Sequence, residues 1–454
     1  MIDPEGYRRP LYMLVLSTVL GLAGGVGAVL FLAMLHAMQW VFMDRLAGIH
    51  VLEVAHAAAL HAPPLVRRWN PWIPLSTTLG GLLAGLLVYD FAPEAEGHGT
   101  DAAVRAYHRL KGFIRGRVIL IKSLASAITI GSGGAAGREG PTAQIAAGIA
   151  SWLGRRLRLD EAEVKLLVLV GMAAGLSAIF KSPLGTALFA VEVLYSGLSF
   201  DGRALPYTLT GASVAYAVMG ELTGWSTLFT VPASVGFAQP WTLGLYAALG
   251  LVSGVFAAVL PSLFYGTRDA FRRLRLPAWL KPALGGLALG LVGLALPQVL
   301  GGGYGEIQLA IQGTAGPVFM LLLGLALAKM LALSLTVGSG GSGGIFAPGL
   351  FVGAMLGAGF GALLQALGVP DVPLAGFALV GMATVFGSAA RVPLATTVMV
   401  AEMTGGYALM APTMLAVALG YLLQVRLTRH ARYPTLYEAQ ERFVESTTAP
   451  GPGA

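Results

Sequence analysis

Apolar segments of membrane-spanning length recur along this chain. An α-helix needs about 20 predominantly apolar residues to cross the hydrocarbon core of a bilayer. The clearest apolar segments are 11–35, 72–88, 243–260, 283–300 and 320–337. Many other apolar runs are shorter or interrupted by Gly and Pro, as in tilted or broken membrane helices. The pattern predicts an all-α polytopic membrane protein.

The first apolar segment directly follows Arg8 and Arg9. A secretory signal peptide has an apolar region of about 7–15 residues, followed by a cleavage site. This segment is longer, and no convincing cleavage site follows it. We therefore interpret it as the first membrane helix.

Composition agrees with a membrane location. Of the 454 residues, 56% are hydrophobic and 11% are charged, whereas an average soluble domain is about 25% charged. The chain has no Cys, which excludes disulfides, zinc–thiolate sites and iron–sulfur sites. The net charge of +7 fits basic residues retained on the cytoplasmic side better than a nucleic-acid partner. The densest basic cluster, which we place in the cytoplasm, is Arg105, Arg109, Lys111, Arg115 and Arg117.

Three phrases occur twice in the same order. GSGGAAGREGP at 131–141 matches GSGGSGGIFAP at 338–348 in six of eleven positions. LVGMA and the phrase PLGTALFAVE, at 183–192, each return 210 residues later, the second as PLATTVMVAE. Such repeats are typical of transporters, in which they run parallel or inverted. The sequence alone does not decide which.

The repeats divide the chain into two homologous halves. We predict a first membrane repeat at 1–222, a linker at 223–241 and a second membrane repeat at 242–444. The last residues, 445–454, are polar, rich in Pro and Gly, and without a pattern. We predict that they form a disordered tail.

Each glycine phrase precedes a predicted helix. Pro141 and Pro348 suit the first helical turn, where the missing N–H costs nothing. The glycines before them predict an irregular loop, which is tolerated at membrane depth only inside protein or along a watery cavity. Free N–H groups and the positive end of a helix dipole then form an anion site. Close helix packing is the alternative use of such glycines, but two matched phrases favour the anion site.

A membrane enzyme is a second hypothesis. Ser132 or Ser339 could serve as a nucleophile if His98 or His108 approached it in the fold. Phosphate binding is disfavoured, because neither glycine phrase is a Walker A motif. No cofactor and no metal are predicted.

Glu139 lies among the predicted N–H donors. An ionisable residue within the membrane costs at least ~2.5 kcal/mol and indicates function by default. A carboxylate there can occupy the place of the anion and leave when it is protonated or displaced, which describes a gate. An ion pair with Arg138 is the structural alternative.

The phrases GREGP at 137–141 and GIFAP at 344–348 resemble those of the CLC chloride channels and transporters. The likeness extends from the first helix to Tyr437. It implies a CLC-type fold of two inverted repeats with many broken and tilted helices, of the bacterial type without cytoplasmic CBS domains. It also implies a homodimer with one chloride pathway in each subunit, in a bacterial plasma membrane, with both termini cytoplasmic.

The resemblance assigns roles by position. Glu139 resembles the gating glutamate. The residues that resemble the anion donors are the backbone N–H groups of Arg138, Glu139, Gly140, Ile345 and Phe346, and the hydroxyl of Tyr437, with Tyr433 a weaker candidate. The residues that resemble the selectivity loops are Gly137, Pro141, Gly344 and Pro348.

Two positions depart from the family pattern. His98, in GHGTD, stands where family members usually have a serine facing the central anion. Its role is either anion binding or that of a plain loop histidine. Val193 follows Glu192 where proton-coupled members commonly have a second glutamate, and valine cannot relay a proton.

The valine favours a channel over a proton-coupled antiporter, which is the alternative. Fluoride exporters depart from the proline of GREGP, which is intact here as Pro141. Glu192 and Glu402 are equivalent in the repeat, so we predict that they share a structural role at helix ends.

Overall fold

The computed structural model describes residues 4–52, 54, 70–197, 202–233, 235–237, 239–313, 319–370 and 372–441. Sixteen α-helices lie within these ranges, eight in each predicted half, and the all-α prediction is confirmed. The first half contains α1 (Pro4–Gln39), α2 (Trp72–Phe91), α3 (Thr100–Arg109), α4 (Gly116–Gly131), α5 (Glu139–Arg156), α6 (Glu161–Phe180), α7 (Pro183–Glu192) and α8 (Leu205–Thr223). The second contains α9 (Leu243–Arg273), α10 (Lys281–Ala295), α11 (Tyr304–Gln312), α12 (Phe319–Val337), α13 (Phe346–Ala366), α14 (Leu374–Ala390), α15 (Pro393–Thr404) and α16 (Met410–Leu427).

Eight helical segments of the described chain are long and apolar enough to cross a membrane. In α6 and α13, 83% of the most apolar window is buried inside the protein, against 39% in α1. α6, which contains the first LVGMA phrase, and α13, which begins within the second glycine phrase, are therefore central, and α1 lies at the periphery. The interval between α8 and α9 overlaps the predicted linker 223–241, whose boundaries stay a prediction. The predicted tail, 445–454, lies outside the described residues.

Equivalent helices end by the same local signal. Lys181 follows α6 and Arg391 follows α14, both in the left-handed conformation, with φ of 53° and 57°. This conformation is a common helix C-cap. Two residues later, Pro183 and Pro393 begin the next helices, α7 and α15. Each half therefore has a sharp break where a long helix gives way to a short one.

Glu192 and Glu402 cap the starts of each other's helices. The Glu402 carboxylate accepts hydrogen bonds from the Ser182 hydroxyl at 2.6 Å and from the N–H groups of Leu184 and Gly185 at the start of α7. The Glu192 carboxylate accepts from the N–H groups of the equivalent residues at the start of α15, at 3.0 and 2.7 Å. The predicted structural role is thereby confirmed. The two halves exchange equivalent contacts, as elements related by a two-fold axis do.

Two buried lysines support equivalent loops. Lys122 donates to the carbonyl oxygens of Ala95 and Gly97, at 2.9 and 2.7 Å. Lys329, 207 residues later, donates to those of Val299 and Gly301, at 2.8 and 2.7 Å. Buried carbonyl groups in irregular backbone need such partners. The lysines therefore shape the loops that precede α3 and α11.

The reciprocal caps predict a paired effect on stability. Glu402→Gln places an amide opposite the N–H donors of α7, and Glu192→Gln does the same at α15. Because hydrogen bonds to charged groups contribute about 1.5–3 kcal/mol, each variant should lower the apparent Tm of the purified protein in detergent. Glu221→Gln, at an exposed position, is the matched control and should leave Tm unchanged. Equal Tm values for all three variants would contradict the capping role.

Candidate functional site

The two glycine phrases are bonded directly to each other. The N–H of Gly137 donates to the carbonyl of Gly344 at 2.7 Å, and the N–H of Gly344 donates to the carbonyl of Gly137 at 2.6 Å. These bonds form an antiparallel bridge. Just beyond it, α5 begins at Glu139 and α13 begins at Phe346. The two helix starts therefore lie on either side of one point.

The predicted backbone donors surround that point. Arg138 and Ile345 are the N-cap residues of α5 and α13. The first four N–H groups of an α-helix have no partner within the helix, and the positive ends of both helix dipoles face the same region. The sequence predicts that backbone N–H donors from both phrases converge, and the structure does bring the two helix starts together. The predicted donors are the N–H groups of Arg138, Glu139, Gly140, Ile345 and Phe346. Whether they bind an anion stays a prediction.

The Glu139 side chain is fully buried between the two phrases. Its Oε1 accepts a hydrogen bond from the Tyr304 hydroxyl, and its Oε2 lies 3.4 Å from the N–H of Ala347, in the first turn of α13. The same Oε2 is so close to Gly344 that an added Cβ there would lie 3.2 Å away. The carboxylate of the first repeat thus faces the helix start of the second. The guanidinium of Arg138 lies over the Tyr304 ring, 4.4 Å from its centroid.

Sequence reasoning missed Tyr304, the first residue of α11. The feature that could have identified it is a further repeat, in which the two halves share few identical residues. Gly301 and Gly303 have φ of 60° and 81°, and Gly97 and Gly99, 204 residues earlier, have φ of 77° and 82°. Matching the glycine spacing of GHGTD with that of the second half would have identified the loop that ends at Tyr304.

Tyr437 lies at the other end of the site and is 1% exposed. It belongs to a strap, residues 429–441, that follows α16. The N–H of Ala439 donates to Asp101 Oδ1 at 2.7 Å, and the Tyr265 hydroxyl donates to the Leu436 carbonyl at 2.7 Å. Arg268 forms a two-pronged ion pair with Glu438, at 2.6 and 3.1 Å. Its guanidinium holds the pKa of Glu438 below the ordinary value.

His98 is buried beside Tyr437, with 5.4 Å between the ring centroids. The N–H of Asp101 is directed at His98 Nδ1 at 3.5 Å. We assign the ring proton to Nε2 on this basis, which makes the ring a neutral donor. The His98 carbonyl also packs on the start of α5, because an added Cβ on Gly140 would overlap its oxygen. His98 is therefore not an exposed loop residue.

Two cavities have linings that include neighbours of Glu139. One, of about 220 Å³, is lined by His98 and by eight charged side chains: Glu94, Glu96, Asp101, Arg105, Arg115, Arg268, Arg272 and Glu438. The other, of about 250 Å³, is lined by Arg138, Gly302 and Tyr304 among others. Tyr304 of the second lining bonds to Glu139, and His98 of the first packs on Gly140, the residue after it.

Val193 is fully buried at the end of α7. The next residue, Leu194, accepts a hydrogen bond at its carbonyl from His108 Nε2, at 2.9 Å. The second ring nitrogen of His108 lies 3.6 Å from Glu441 Oε2. A titratable imidazole thus stands next to the valine, a placement that sequence reasoning did not foresee.

The serines of the enzyme hypothesis occupy equivalent structural positions. The Ser132 hydroxyl donates to the Thr129 carbonyl and the Ser339 hydroxyl to the Thr336 carbonyl, each at 3.0 Å. Gly80 packs so closely on Ser132 that an added Cβ would overlap the hydroxyl, and Gly285 does the same at Ser339. These hydroxyl groups hold helix ends in contact.

Tyr433, the weaker candidate for the central hydroxyl, bonds elsewhere. Its hydroxyl donates to Asp269 Oδ2 at 2.8 Å. Its ring stacks on Tyr265, with 4.7 Å between centroids. Tyr433 therefore secures the strap to α9.

The family model for voltage-gated chloride channels matches residues 80–424, which include both glycine phrases and most of the helices around them. The chain belongs to the CLC family. A voltage-gated ClC-type chloride channel, ClcB of Salmonella typhi, is 32% identical over 425 residues, covering 92% of this chain and 96% of the relative. An H⁺/Cl⁻ exchange transporter, ClcA of Salmonella agona, is 34% identical over 427 residues, covering 92% and 86%.

A solved structure supports the CLC fold independently. A slow cyanobacterial Cl⁻/H⁺ antiporter superposes with a TM-score of 0.78 at 24% identity, covering 94% of this chain and 96% of the other. The named CLC relatives are channels and exchange transporters, and the serine-enzyme hypothesis gains no support from them. They include both transport mechanisms, so family membership does not choose between these.

The contact between α5 and the His98 loop predicts a steric effect. Gly140→Ala would push the start of α5 away from the His98 carbonyl. Overpacking of this kind costs about 1–3 kcal/mol, so both the apparent Tm and the affinity for chloride, measured by isothermal titration calorimetry, should fall. Gly116→Ala is the matched control, because an added Cβ there meets nothing within 4 Å. Unchanged chloride affinity in Gly140→Ala would show that this contact does not shape the site.

Proposed function

We propose that this chain conducts chloride and similar small anions across a bacterial plasma membrane, through a pathway gated by Glu139. The observation that carries the proposal is the position of the Glu139 carboxylate between two helix starts from opposite repeats. A carboxylate held there occupies the place that a permeating anion would take. Protonation or displacement releases it and frees the N–H donors.

The residues around the gate suit a halide that must bind and leave. Backbone N–H groups, the Tyr437 hydroxyl and the neutral His98 ring can each donate a hydrogen bond to a halide. None of these donors carries a full positive charge. Conduction requires binding that is favourable yet weak enough for release.

The same proposal includes the placement of the chain in the membrane. The basic cluster around Arg109 and Arg115 favours a cytoplasmic location for the α3–α4 loop, with both termini on that side. A homodimer with one pathway in each subunit follows from the resemblance to the family.

Reconstitution into liposomes tests the gate. Chloride efflux through the wild type should increase as the pH falls, because protonation removes the charge that holds the carboxylate among the N–H donors. Glu139→Gln lacks that charge, so its efflux at neutral pH should exceed that of the wild type by about tenfold, the scale of one charge-assisted hydrogen bond. Its efflux should not depend on pH.

The exposed Glu221→Gln should behave as the wild type does in the same assay. Absence of halide flux in both the wild type and Glu139→Gln would contradict anion conduction. A pH profile of Glu139→Gln identical to that of the wild type would contradict the gate.

Proton coupling separates the two transport mechanisms. We propose a channel, because Val193 is aliphatic and fully buried at the position of the usual internal proton acceptor. A proton-coupled antiporter is the second candidate, and one observation favours it. His108 stands beside Leu194 with its second ring nitrogen facing Glu441, so it could accept a proton in place of the missing glutamate.

A chloride gradient applied to proteoliposomes should dissipate without driving protons uphill, as measured with a pH-sensitive dye. Uphill proton movement would contradict the channel. In that event His108→Asn decides the route: loss of coupling with retained chloride flux identifies His108 as the internal acceptor, and retained coupling excludes it.

A further inference from the structure

Tyr304 is the one side chain of the second repeat whose hydroxyl bonds to the Glu139 carboxylate in the described part of the chain. The phenol lies at the first position of α11 and lines the second cavity. It thus contacts the candidate gate from the second cavity, whereas His98 lines the first. Tyr304 lies outside both glycine phrases, so those phrases assign it no role.

The phenol ring is held between two groups. The Arg138 guanidinium lies 4.4 Å from its centroid on one side, and the Phe229 ring stacks on it at 6.0 Å with an interplanar angle of 25°. Cation–π and stacked contacts of this kind fix the plane of an aromatic ring. The hydroxyl therefore has a defined direction, which is toward Glu139 Oε1.

The backbone that carries Tyr304 is fixed as well. Lys329 donates to the carbonyl of Gly301, three residues before the tyrosine. Gly303, the N-cap of α11, has a φ of 81° and packs against the Phe351 ring so closely that no side chain fits. A loop held in this way positions a hydrogen-bond donor without further reorganisation.

We propose that Tyr304 is a positioning residue that holds the gating carboxylate in its closed position. This inference rests on the function proposed above. A phenol hydroxyl donates more strongly to an ionised carboxylate than to a neutral acid. Tyr304 therefore stabilises the charged, closed gate selectively and releases it on protonation.

The repeat supports a specialised role. The residue equivalent to Tyr304 in the first half is Thr100, whose hydroxyl is hydrogen-bonded to Tyr437. In each half, the residue that follows this loop therefore carries a hydroxyl group, which interacts with Tyr437 in the first half and with Glu139 in the second. Only the longer tyrosine side chain is bonded to Glu139.

Tyr304→Phe removes the hydroxyl and keeps the ring stack. Chloride efflux at neutral pH should rise about tenfold towards the Glu139→Gln value, since the lost bond has a charged acceptor. The pH at which efflux is half-maximal should move upward, because the closed gate has lost a stabilising contact. A merely structural role would not move this midpoint.

Two further variants make the test specific. In the Glu139→Gln background, Tyr304→Phe should cause no additional change, because the charged acceptor is already absent. Tyr246→Phe, in a buried stacked pair with Phe377, is the matched control and should leave the pH midpoint of the wild type.

The outcomes separate this inference from the proposed function. If Glu139→Gln raises the efflux but Tyr304→Phe matches the wild type in rate and midpoint, the positioning role is overturned. If Tyr304→Phe alters the efflux equally with and without Glu139, the hydroxyl acts on the permeating anion or on the fold, and the inference is again overturned. If Glu139→Gln itself behaves as the wild type does, the gate proposal fails first.

Discussion

The pair of backbone hydrogen bonds between Gly137 and Gly344 is the constraint on which the site depends. Each half of the chain supplies a helix start whose first N–H groups have no partner within the helix, and neither alone would surround an anion. The bridge holds the two loops against each other and thereby sets the distance between the two helix starts. A side chain at Gly344 would intrude on the Gly137 carbonyl and on Glu139. Glycine is therefore required here by close backbone approach.

Breaking helices inside a membrane protein exposes polar backbone groups, and in the described structure long charged side chains bond to them, across the halves or within one half. Glu192 and Glu402 reach helix starts in each other's half. Lys122 and Lys329 reach the carbonyls of the glycine loops. In a low-dielectric interior these bonds are stronger than in water, and leaving them unmade is costly. These four buried side chains thus bond to irregular backbone and helix starts, whereas the Glu139 carboxylate lies between two helix starts that, in the proposed function, would bind the anion.

The sequence was sufficient for the membrane class, the repeat and the helix starts, because apolar length, glycine phrases and proline at the first turn are local signals. Glu139 was evident for the same reason. Tyr304 was not, because its loop retains only the glycine spacing and φ pattern of its equivalent. His108 and the strap around Tyr437 were also beyond reach, since their placement follows from contacts between residues about 90 to more than 300 positions apart. Pairings of that kind depend on the packed arrangement of all the helices.

The strap has a consequence for biogenesis. The strap residues on either side of Tyr437 are held by bonds to Asp101 of the first half and to α9 and α14, yet they are among the last residues of the described chain to be synthesised. Chains emerge from the ribosome N-terminus first. Both glycine phrases and Glu139 are therefore synthesised before the segment that carries Tyr437. A nascent chain without residues 429–441 would have both helix starts but not the Tyr437 hydroxyl, so the arrangement of side chains described above is complete only after that segment has been added.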